Sequence, residues 1–172
     1  MVTVSTGNRG STTASVLTLA DATALSDPGR FPDLALVAPQ YGASATLTRG
    51  ASEGSYQVVG TTEAYAAVRN LESASGTFLT AEQVAENAKV VVLGATVASD
   101  LFGGQDPLRQ ILRINDALVE VTGVLASTGG AGFGSSDTQV FVPSELALGR
   151  LFNVNRIRGS YAISGMSIQV VS

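Results

Sequence analysis

Apolar residues in this chain fall into short runs separated by polar, glycine-rich or proline-bearing turns, and the period within each run indicates its conformation. Val2-Thr-Val-Ser5 alternates as a strand does, and a polar stretch rich in Gly, Asn, Ser and Thr follows. Thr18-Leu-Ala-Asp21 then carries a helix start, with a hydroxyl able to cap free backbone N–H groups and a carboxylate near the positive end of the helix dipole. Leu19, Ala22 and Leu25 continue at helical spacing until Asp27-Pro-Gly29 ends the pattern.

Leu34 to Ala38 is an apolar run of strand length, Ala43 to Thr48 predicts a second strand and Tyr56 to Val59 a third. The order strand, helix, strand, strand is an α+β beginning. Glu63 to Leu71 suits a short helix. Thr80-Ala-Glu-Gln83 is a capping box that predicts a helix to about Asn87. Val90 to Leu93 is the most strand-like run in the chain, and Ala95 to Phe102 reads as a helix closed by Gly103-Gly104. Ile111 to Ile114 and Leu118 to Leu125 predict a hairpin around Asn115-Asp116-Ala117, because Asn and Asp tolerate the positive backbone angles of tight turns. Ser127 to Asp137 is glycine-rich and polar, a loop expected to be mobile or to face a partner. Gln139 to Val142 predicts a strand, Pro143 to Phe152 a helix, and about Tyr161 to Val171 a closing strand.

Composition narrows the function. The chain of 172 residues is 45% hydrophobic and 14% charged, which suits a folded unit with a substantial core. Its net charge is -4, and its basic residues, Lys89 and scattered arginines, form no run in the sequence; this argues against nucleic acid and against a polybasic membrane patch. There is no run of about 18 apolar residues of the kind that spans a bilayer. Strands at both extremes suggest a piece cut from a longer chain.

The chemistry is sparse. With no His and no Cys, the chain lacks the usual general base, thiol nucleophiles and the customary zinc ligands. Paired carboxylates could hydrolyse a glycosidic bond, but such clefts usually hold sugar on aromatic rings and the chain has no Trp. Gly129-Gly-Ala-Gly-Phe-Gly134 is followed by neither Lys nor a helix, so it matches neither a P-loop nor a dinucleotide fingerprint. No catalytic, cofactor or metal residues are assigned. Arg109 and Arg113 read as a solvated strand edge.

The order of segments carries a resemblance that no single segment does. Gly60-Thr-Thr-Glu-Ala-Tyr65, Val68-Arg-Asn-Leu71, Gly76-Thr-Phe-Leu-Thr80, Ala88-Lys-Val-Val-Val-Leu-Gly94 and Leu101-Phe-Gly-Gly104 with Asp106-Pro107 follow one another as in the periplasmic core domain of MacB-type ABC transporter permeases. Ile114-Asn115, Val121-Thr-Gly-Val-Leu125, Val140-Phe-Val-Pro143 and Ile168-Gln-Val continue the likeness, and Leu17-Thr-Leu-Ala-Asp21 and Val37-Ala-Pro39 extend it to the front. Thr77 stands where the family often has Arg, and Arg109 where it often has Gly.

The resemblance implies an α+β fold in two parts. A porter-like subdomain would be made from both chain ends, residues 1–59 and 138–172, with a smaller mixed sabre-like subdomain inserted at 60–137. It also implies a non-catalytic, extracytoplasmic domain that couples cytoplasmic ATP hydrolysis to export. The implied partners are a second permease copy, an ABC ATPase reached through membrane helices outside this sequence and, in cells with an outer membrane, a periplasmic adaptor. No cofactor is implied. Phe133 and Asp137 of the glycine-rich stretch are the candidate partner or dimer contacts. The alternative is a stand-alone extracytoplasmic module binding a peptide or small molecule in a formed apolar pocket.

Overall fold

Helices begin and end where side chains can satisfy their unpaired backbone groups. In the computed structural model, which describes residues 2–5, 18–27, 29–30, 32–129, 135–153, 156–157, 160–161, 163 and 165–170, strand β1 (Val2–Ser5) is followed by helix α1 (Leu19–Leu25). Thr18 Oγ1 accepts the Asp21 N–H at 3.3 Å, and the Asp21 carboxylate accepts the Thr18 N–H at 2.8 Å. Next come β2 (Leu34–Arg49), β3 (Ser52–Thr61), α2 (Ala64–Arg69) and β4 (Ser73–Gly76). Helix α3 (Ala81–Ala85) repeats the capping box, with Thr80 and Gln83 exchanging bonds of 3.2 Å in each direction. After β5 (Val90–Leu93), α4 (Ala95–Phe102) ends on Gly103 at φ +55°, a left-handed cap that suits a residue without a Cβ. The hairpin of β6 (Ile111–Ile114) and β7 (Ala117–Leu125) turns at Asn115-Asp116, with Asn115 at φ +52°. The last elements are β8 (Gln139–Pro143), α5 (Ser144–Leu146) with a π-helical turn over Ala147–Leu151, β9 (Arg156–Ile157), β10 (Ser160–Tyr161) and β11 (Gly165–Val170).

The strands close on themselves. From Tyr41 onward β2 pairs antiparallel with β3, β3 runs parallel to β8, β8 is antiparallel to β5, β5 parallel to β7 and β7 antiparallel to β6. β6 returns to β2 through Leu47↔Ile114 and Thr48↔Arg113, which completes a ring of strands and removes its free edges. The ring takes strands from each of the three stretches 1–59, 60–137 and 138–172. The pleat alternation turns Leu47, Val58, Val91, Ile114, Val121 and Val140 into one fully buried interior cluster. At roughly 1.5–3 kcal/mol for each large aliphatic side chain taken from water, this filling is a main source of stability. β5 leads into α4 and the antiparallel β8 leads into α5, so the two helical segments plug opposite ends of the ring, with Leu101 and Phe102 at one end and Leu146 and Leu151 at the other.

The outward faces of β3, β5 and β8 carry a second core under α2 and α3. The Phe141 ring lies 5.3 Å from that of Tyr65 and 5.6 Å from that of Phe78. A third core joins α1 to the sheet that β2 forms with β11 and β1, and includes Ala22, Val37, Met166 and Ile168. β2 links the two sheets: residues 34–40 pair with β11, and residues 41–49 with β3.

Several sequence expectations change. The strands expected at Leu34 to Ala38 and Ala43 to Thr48 are one strand of sixteen residues running through Pro39. Pro39 lies ahead of Tyr41, where pairing with β3 begins, so its missing N–H breaks no ladder on that side. The expected third strand is longer, Ser52–Thr61. β4 was not expected, since Ser73-Ala-Ser-Gly76 is wholly exposed and has no apolar pattern. The helix expected over Pro143 to Phe152 is a single α turn widened into a π turn, closed by the Phe152 N–H on the Ala147 carbonyl at 3.0 Å. Adjacent residues thereby enter different cores, Ala147 the ring interior and Leu148 the α1 side. The closing strand is divided into β10, which pairs with β9, and β11, which pairs with β1 and β2. Tyr65 and Phe102 are core residues.

Candidate contact surface

The glycine-rich stretch is anchored at both roots by one carboxylate. Asp137, 4% exposed, accepts the Ser127 hydroxyl at 2.8 Å on Oδ2 and the Thr128 N–H and hydroxyl at 2.9 and 3.0 Å on Oδ1. The Thr128 N–H does most to hold this carboxyl below the usual carboxylate range; desolvation opposes it and the Ser127 and Thr128 hydroxyls add to it. Ser135 caps the turn that carries Asp137, its Oγ accepting the Asp137 N–H at 3.3 Å. The same turn packs against Gly94 at the start of α4, where an added Cβ would lie 2.3 Å from the Ser136 carbonyl oxygen and 2.4 Å from that of Asp137. The side chain of Asp137 is thus engaged within the chain. Phe133, the other candidate contact, lies outside the described residues.

The hairpin β6–β7 has a different character. Leu112 and Ile114 point into the ring, so the period of two sends Ile111 and Arg113 outward, opposite Glu120 and Leu118 respectively. Ile111 is 62% exposed and Leu118 56%, and among the described residues these are the large hydrophobic side chains left open to solvent. Beside Leu118 runs a groove of about 480 Å³ bounded by Lys89, Asp116, Ala117, Leu118, Leu146 and Arg150. The alternation Ile-Leu-Arg-Ile was a sequence signal for this outward Ile111, since it puts Ile111 on the face of Arg113.

A second cleft, about 400 Å³, lies between α1, the first part of β2, α2 and α3, where Leu19, Val37 and Val84 mix with Thr23 and Glu63. Among the described residues no three acidic side chains gather as a metal site would require. No described helix is long and apolar enough to cross a membrane.

Comparison with known proteins places this arrangement. The sequence pattern of the family described as MacB-like periplasmic core domain matches residues 1–170. The chain is 35% identical over 136 residues to the macrolide export ATP-binding/permease protein MacB of Azoarcus sp. (strain BH72), covering 78% of this chain and 20% of that protein. It is 34% identical over 139 residues to the pyoverdine export ATP-binding/permease protein PvdT of Pseudomonas entomophila (strain L48), covering 80% and 21%. The chain therefore spans about a fifth of the length of these relatives. In fold it is similar to the periplasmic region of MacB from Actinobacillus actinomycetemcomitans, with a TM-score of 0.78 at 22% identity over 98% of this chain and 73% of that one. The extracellular domain of the noncanonic ABC-type transporter YknZ from Gram-positive bacteria gives a TM-score of 0.75 at 21% identity, over 93% and 76%. A mixed α/β fold dominated by strands, shared with these external transporter domains, and a sequence match over residues 1–170 make this chain a member of the MacB-like periplasmic core domain family.

Proposed function

We propose that this chain is the non-catalytic, extracytoplasmic part of an ABC transporter permease, which converts ATP hydrolysis at a cytoplasmic ATPase into an external conformational change that drives export. The observation that carries the reading is the family match over residues 1–170. The pairing of β1 with β11 fits it: Val2 lies opposite Ile168, so the outer ends of both strands lie on one side of the domain, as two tethers to a membrane would require. In this reading a second permease copy faces the first across the membrane-tethered pair, and the stretch anchored by Asp137 and carrying Phe133 supplies contact between copies or with a periplasmic adaptor.

The core built from α1, β11 and the first part of β2, together with the pairing of β1 to β11, supports a porter-like part made from both chain ends. Residues 60–137 would then be the sabre-like insert, sharing the ring with its host. A two-state element of this kind needs cores that repack as units, and the continuous strand β2 supplies the mechanical link between them.

Because the chain has no cysteine, a single introduced thiol reports its location. Ser99→Cys, on the exposed side of α4, in a parent protein stripped of other cysteines, is expected to react with a membrane-impermeant maleimide in intact cells whose outer membrane, if present, has been permeabilised. Labelling only after lysis of the inner membrane would contradict the reading.

A further inference from the structure

We propose that the outward face of the β6–β7 hairpin, with the groove beside Leu118, docks an acidic, leucine-bearing peptide segment of a partner protein. Its apolar component is Ile111 and Leu118, the large hydrophobics left exposed among the described residues, both on this one hairpin. Its charged component is Lys89 and Arg150 at the groove and Arg113 across from Leu118. All three are exposed, and none forms an ion pair or side-chain hydrogen bond with another described residue. Glu120 opposite Ile111 and Glu53, across Thr48 from Arg113, are acidic groups of the same outward face, but the groove lining itself carries Lys89 and Arg150 against Asp116 alone, so it is net basic although the whole chain carries -4. A partner carboxylate is the complement the cations lack, and a partner leucine the complement of Leu118; charge of this kind sets partner choice and encounter rate.

An anionic bilayer would offer similar chemistry, but the placement disfavours it. This step rests on the extracytoplasmic reading above, in which the membrane lies toward the end where Leu34 pairs with Val170. β2 rises about 3.3 Å per residue, so Thr46, which bonds to the hairpin turn at Asn115, lies roughly 40 Å of strand from Leu34.

The test uses the 172-residue chain and a fluorescein-labelled decapeptide alternating leucine and glutamate, read by fluorescence polarisation at low salt. Saturable binding below about 100 μM is expected, as suits a transient peptide site. Affinity should fall at least tenfold in a Lys89→Glu, Arg150→Glu double variant and in Leu118→Ser, and stay unchanged in Arg30→Glu. Circular dichroism and an unchanged urea midpoint would certify that the variants fold. No saturable binding, equal binding of a leucine-lysine decapeptide, or affinity indifferent to both variants would overturn the proposal. So would self-association abolished by Leu118→Ser, which assigns the face to a second copy, or binding to phosphatidylglycerol vesicles lost in the same variants, which assigns it to a membrane. If the peptide fails while the Ser99→Cys labelling succeeds, the docking face falls and the extracytoplasmic reading stands.

Discussion

Asn115 holds Thr46 twice: its backbone N–H donates to the Thr46 carbonyl at 2.9 Å, and its side-chain Oδ1 accepts the Thr46 N–H at 3.2 Å. These bonds extend the seam at which β6 rejoins β2, where only Leu47↔Ile114 and Thr48↔Arg113 are paired in register. The ring therefore depends on a turn residue that must accept a left-handed φ of +52° and also offer an acceptor. Asn115→Ala loses both properties and is expected to cost about 1–2 kcal/mol. Asn115→Gly keeps the backbone freedom and should cost about half as much. Urea midpoints of the two variants against the parent would check the order. Equal midpoints for all three would mean that the seam is carried by the ladder alone.

Asp137 makes stability depend on acid. Its carboxyl is held below the ordinary value of 3.8, so the charged form is favoured by folding. The contribution is fully present above the unfolded-state pKa and is lost as pH falls through the lower folded-state value. Asp137→Asn removes this dependence, and the wild type should melt about 2–4 °C higher at pH 7, an advantage on the order of 1 kcal/mol. That difference should shrink as the pH is lowered from about 5 and vanish in strong acid. Melting curves at a series of pH values would check it, and a constant difference down to pH 2 would show that the bonds at the loop roots do not need the charge.

Gly94 couples the start of α4 to the turn that carries Asp137. Its N–H donates to the Gln139 carbonyl at 2.8 Å, and the carbonyls of Ser136 and Asp137 occupy the space a side chain would need. Gly94→Ala forces the turn away from the ring and is expected to destabilise by about 1–3 kcal/mol. Gly103→Ala, at a left-handed position with open space around it, should cost only about 1 kcal/mol. Denaturant midpoints would compare them.

Features written in a few adjacent residues were legible in the sequence. The helix start at Thr18, the capping box at Thr80, the Asn115-Asp116 turn, the Val90 to Leu93 strand and the glycine stop after α4 all appear where the pattern put them. Features that depend on distant partners were not. The two runs Leu34 to Ala38 and Ala43 to Thr48 read as separate strands because the sequence does not show that β2 exchanges one partner, β11, for another, β3, between them. β4 exists through its pairing with β7 and has no apolar signal of its own. Closure of the ring rests on Thr46 meeting Asn115, sixty-nine positions away. Of the candidate contacts, the sequence did not show that Asp137 is engaged by the roots of its own loop, nor that the open apolar groups Ile111 and Leu118 sit on the hairpin.

The central claim, that this domain closes and opens with the ATPase cycle, is tested most directly by Phe133→Cys in the full-length parent reconstituted with its ATPase. The chain has no other cysteine, so a disulfide formed through it joins the same stretch of two copies, provided the rest of the parent is cysteine-free. The yield of cross-linked dimer is expected to change severalfold between the nucleotide-free state and a trapped ATP-bound state. A yield indifferent to nucleotide, or a parent with no membrane spans, would contradict the account and favour a binding module that acts alone.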